Sequence, residues 1–93
     1  MENQSIKMEE LSRESLEQIL DNCSKTTKGP WISYVEGRDH ESGSNFIMTG
    51  DDDIELTGAT IADQDFIANA KQDIPKLVVE IFRLRTLLGM DQK

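Results

Sequence analysis

Ninety-three residues with 37% hydrophobic and 30% charged side chains make one globular domain, 1–93, with room for a single modest core. Eighteen acids against ten bases leave a net charge of −8, which repels duplex DNA and anionic lipid at long range and draws a basic protein in. A lone cysteine, Cys23, excludes an intrachain disulfide; no charged-then-apolar leader and no apolar run near 20 residues is present, so the expected setting is the cytoplasm.

Residues 1–5 are polar and expected to fray. Ile6 and Met8 extend a first helix backward or pack as an arm. In that helix Leu11, Leu16, Ile19, Leu20 and Cys23 share one face and Arg13, Glu14, Glu17, Gln18 and Asp21 lie mostly on the other. Ser12 is the expected N-cap, with Glu14 in the first turn to suit the helix dipole and Leu11 and Leu16 placed for a hydrophobic staple. Asn22 to Pro30 is a turn-rich exit.

The period then changes to two. Trp31 to Glu36 predicts a strand, Gly37 to Ser44 a polar loop, Asn45 to Thr49 a second strand, Asp51–Asp53 a turn, and Ile54 to Thr57 a short third strand. Short polar connections make these an antiparallel meander. From Ala62 the pattern is helical again. Pro75 predicts a break near Asp73-Ile74 and a new helix that starts at the proline and ends near Gly89. In this last helix Leu77, Ile81, Leu84 and Leu88 recur at offsets of four, three and four, a stripe read first as core and second as a face for another copy of the chain. Of the five aromatic residues Trp31, Tyr34, Phe46, Phe66 and Phe82, four are expected to help form the core. The expected fold is α+β: an N-terminal helix, a three-stranded antiparallel meander, and two C-terminal helices packed on one face of the sheet.

Two clusters could bind something. The loop containing Glu36, Arg38, Asp39, His40 and Glu41 holds the single histidine, but it lacks the second His or nearby Cys of a zinc site and the water-excluding pocket of a catalytic base. The run Asp51, Asp52, Asp53 fails as an EF-hand loop, because the sixth position is Leu56 and the twelfth is Ala62. Both clusters are assigned as partner-binding, with no catalytic residues, no metal and no cofactor. Cys23 is read as a packing residue. No phosphate-binding glycine loop, nucleophile elbow or C-x-x-C pair occurs.

The stretch from Asp63 through Phe66-Ile67-Ala68, Ala70-Lys71, Asp73-Ile74-Pro75, Leu77 and Glu80-Ile81 to Arg83-Leu84-Arg85 resembles a segment of small uncharacterised bacterial and phage proteins, D-x-x-F-I-A-x-A-R-x-D-I-P-x-L-x-x-E-I-x-R-L-R. It covers about a quarter of the chain and departs at Lys71, where Arg is usual, and at Phe82, commonly polar. The resemblance implies an origin among phage and toxin-linked genes. It further implies an immunity-like protein, an acidic inhibitor that plugs a basic toxin, with an accessory protein acting through self-association, as a homodimer, or through a protein partner as the alternative.

Overall fold

In the computed structural model, which describes residues 10–89, the chain runs α1 (Arg13–Ser24), β1 (Ile32–Tyr34), β2 (Phe46–Met48) and α2 (Ile61–Leu87). The α+β class holds; the expectations for residues 1–5, Ile6 and Met8 fall outside the described residues. Ser12 caps α1 as its sequence predicts, its hydroxyl accepting the Ser15 amide at 2.9 Å. Thr60 opens α2 with a reciprocal capping box: the Thr60 hydroxyl accepts the Asp63 amide and the Asp63 carboxylate accepts the Thr60 amide, both at 3.0 Å. Gly89 follows α2 at φ +75°, a left-handed conformation that needs no Cβ there.

Two expectations are corrected. The sheet has two antiparallel strands, with Ile32 opposite Met48 and Tyr34 opposite Phe46. The expected third strand is a single bridge in which Ile54 and Ile47 exchange amide–carbonyl bonds at 2.8 Å. It goes no further because α2 must begin within seven residues and bring Gln64 back under Phe46. The C-terminal region is one helix of 27 residues with Pro75 inside it. A proline here removes one backbone bond and crowds the Lys71 carbonyl, at a cost of about 3 kcal/mol. Packing on both sides of the proline offsets that cost. At one end of α1 the Cys23 carbonyl accepts the Lys71 ammonium at 3.2 Å; at the other, Arg13 lies 5.2 Å over the Phe82 ring. The two helices are therefore antiparallel, and α1 splints α2 across Pro75.

The hairpin packs on α2 alone, while α1 packs on α2 beside it, so the expected pair of helices covering one sheet face is replaced by a single shared helix. Gln64, Ala68 and Gln72, one turn apart, meet the strands. The Gln64 amide nitrogen donates to Ser33 Oγ at 2.9 Å, to the Tyr34 carbonyl at 3.1 Å and to the Phe46 carbonyl at 3.2 Å. Gln72 accepts the Trp31 amide at 2.7 Å and donates to the Trp31 carbonyl at 3.2 Å, standing in for a neighbouring strand's peptide. Leu16, Val35, Ile47, Ala68 and Val78 are buried. The strongest apolar stripe of the sequence is not core: Leu77, Leu84 and Leu88 are exposed, and so is Phe66. The interior takes Val78 and half of Phe82 instead.

Candidate functional site

The connection between β1 and β2 is built by side chains that satisfy its backbone. Asp39 accepts the Val35 amide at 2.8 Å, Asn45 accepts the Glu36 amide at 2.8 Å, and Glu36 accepts the Gly43 amide at 2.6 Å. Arg38 donates to Asp39 at 2.9 Å and forks onto both carboxylate oxygens of Asp65 at 2.9 and 3.1 Å, tying the loop to α2. These bonds hold the Asp65 carboxyl down at about 2, through Arg38 first and the Ser33 hydroxyl second. Asp39 is also lowered, by Arg38 first and the Val35 amide second, and Arg38 is raised by Asp65 and then Asp39.

His40 is a packing residue here. Its ring lies 5.1 Å from Phe46 and 6.1 Å from Tyr34, which stack on each other at 5.4 Å. Nδ1 accepts the Ser42 amide at 3.0 Å, an arrangement that places the neutral ring's proton on Nε2. Nε2 is buried. Of the five assigned loop residues, Glu41 is exposed without any of these structural duties among the described residues.

Asp51, Asp52 and Asp53 are exposed in the turn after β2, which Thr49 holds by accepting the Asp51 amide at 2.9 Å and donating to the Asp52 carbonyl at 2.7 Å. The strand register puts this turn at the Ile32–Met48 end of the hairpin and the Glu36–Glu41 loop at the Tyr34–Phe46 end. The two assigned clusters therefore do not form one surface. Among the described residues, no three His, Cys, Asp or Glu side chains converge on a metal position.

One face of α2 exposes several large apolar side chains. Phe66 is 72% exposed, Leu77 61%, Leu87 69% and Leu88 72%. Beside it runs a shallow apolar groove lined by Cys23, Trp31, Ile67, Ala70 and Ile74. Half-buried Cys23 belongs to this groove. The Lys71 ammonium, 5.8 Å from the Trp31 ring, also bonds Thr26 at 2.6 Å at the groove's rim. Helical periodicity marks the C-terminal half of this stripe, where it is expected first as core. Gln64 and Gln72 are not legible as site residues because a glutamine on a helix reads as solvent-facing, and their one signal is an eight-residue spacing on either side of Ala68.

No helix among the described residues is long and apolar enough to cross a membrane. No family model, curated protein or solved structure matches the chain.

Proposed function

We propose that the chain is a non-catalytic protein-binding module of bacterial or phage origin and that the apolar face of α2 is its contact surface. The observation that carries this reading is the exposure of Phe66, Leu77, Leu87 and Leu88 on a helix already packed against α1 and the hairpin. A large contiguous apolar patch on a small soluble domain marks an interaction site more often than chance exposure does. Asp39 and His40 Nδ1 are engaged by the Val35 and Ser42 amides and Arg38 by the Asp39 and Asp65 carboxylates, which in this reading gives the loop a structural role. The proposed setting is the cytoplasm, in keeping with a single thiol.

A second reading, an inhibitor of a basic toxin, is favoured by the net charge of −8 and by the exposed Asp51–Asp53 and Glu41. In it those acids steer the partner and their effect fades with salt. The two readings separate in one capture experiment, with the wild type and a Leu77→Ser/Leu84→Ser variant as baits at low and high salt. Proteins held by the wild type, copies of the chain included, and lost by the variant at both salts support the helix face. A basic toxin held by both baits at low salt and released at high salt supports the inhibitor reading and overturns the helix face as the contact surface.

A further inference from the structure

With α2 continuous through Pro75, its apolar stripe is longer than its C-terminal half. Ile67, Ala70, Ile74, Leu77, Ile81, Leu84 and Leu88 recur at offsets of three and four without a break. This is the heptad of a coiled coil, sustained over about 33 Å of helix. The a positions carry Ile67, Ile74, Ile81 and Leu88; the d positions carry Ala70, Leu77 and Leu84. Isoleucine at a with leucine at d is the combination that favours two parallel strands.

We propose that this face pairs with the same face of a second copy, forming a parallel two-stranded coiled coil. The inference rests on the preceding reading and names the partner. Three observations support it. The hairpin and α1 occupy other faces of α2: Gln64, Ala68 and Gln72 meet the hairpin, and Lys71 and Phe82 meet α1, leaving Ile67, Ile74, Leu77, Leu84 and Leu88 of the stripe exposed, with Ala70 and Ile81 half-buried. The uncovered area is sufficient. Counted by their exposed fractions, Phe66, Ile67, Ile74, Leu77, Leu84, Leu87 and Leu88 present the surface of about four whole large residues. That is on the order of 700 Å², close to the roughly 800 Å² per partner of a standard interface. The flanking charges also set the direction. In parallel register Glu80, at a g position, faces Arg85 of the second copy at e, and Arg85 has no ion partner among the described residues. An antiparallel register would set Asp73 against Glu80, two acids.

Sedimentation equilibrium of the full chain tests this directly. The wild type is expected to shift with concentration from the 10.5 kDa of one chain to twice that mass. Leu77→Glu should weaken dimerisation by at least ~30-fold while keeping its far-ultraviolet circular dichroism. Val79→Glu, on an exposed position outside the stripe, should leave dimerisation unchanged. Orientation is read from Leu88→Cys in a Cys23→Ser background: a disulfide between copies forms on oxidation if the helices are parallel. A wild type that stays monomeric overturns the self-pairing, as does a dimer indifferent to Leu77→Glu; a dimer that fails to cross-link overturns the parallel register. The capture experiment then still decides whether the face binds another protein, so the two readings fail separately.

Discussion

Replacing Gln64 by leucine keeps nearly all of the side chain's bulk and removes the amide that holds both strands to α2. Gln64 is 4% exposed, and its amide nitrogen lies 2.9 to 3.2 Å from three acceptors: Ser33 Oγ, the Tyr34 carbonyl and the Phe46 carbonyl. An amide nitrogen has two hydrogens, so two of these bonds are fully made at any moment. Each is worth about 0.5–1.5 kcal/mol, and an acceptor left buried and unpaired costs about 1–3 kcal/mol. Leucine should therefore cost about 2–4 kcal/mol, out of a total stability of roughly 5–14 kcal/mol for a chain of this length. Gln64→Glu should cost more, because a carboxylate would face two carbonyl oxygens. Urea unfolding at one fixed protein concentration, followed by Trp31 fluorescence and circular dichroism, measures both. A leucine variant within about 0.5 kcal/mol of wild type would refute the idea that this amide clamps the hairpin.

Three further perturbations test other parts of the fold. Gly50→Ala should destabilise by about 1–3 kcal/mol in the same urea assay, since its Cβ would lie 2.8 Å from the Lys28 carbonyl oxygen, which accepts the Gly50 amide at 2.7 Å. Pro75→Ala should raise the thermal midpoint, recovering part of the roughly 3 kcal/mol that a proline costs inside a helix; a lowered midpoint would show that the ring packs better than it disrupts. The Arg38 pair makes stability depend on acid. Asp65 is held at about 2 against an ordinary 3.8, so its contribution is complete above that ordinary value and is lost as pH falls through about 2. Asp65→Asn should flatten the fall in urea midpoint over that window, and an unchanged slope would dissociate the pair from acid stability.

Local chemistry made much of this fold legible. Ser12 as a cap, the change of period at Trp31 and the glycine after the last helix follow from side-chain oxygens, alternating β-formers and a left-handed backbone position. The failures share a cause in tertiary contact. Pro75 reads as a helix break until α1 is laid across it, and that assumed break hid the heptad by separating Ile67, Ala70 and Ile74 from Leu77. Ile54 alternates like a strand residue, yet only one bridge forms before the chain turns to cap α2. Apolar periodicity marks a face that must be buried without saying against what, so Leu77, Leu84 and Leu88 read as core when Val78 and Phe82 take that place. The loop assignment named residues that do cluster, Arg38, Asp39 and His40, but their polar groups turn inward to Val35, Asp65 and Ser42. For Arg38 the partner is Asp65, 27 residues away, which loop composition alone does not indicate.

Amide hydrogen exchange along α2 at low and high protein concentration tests the central claim, that its apolar stripe pairs with a second copy. Pairing stabilises the helix by mass action, so protection from Leu77 to Leu88 should rise with concentration, and Leu77→Glu should abolish the rise. Protection that is the same at every concentration in the wild type would contradict the pairing.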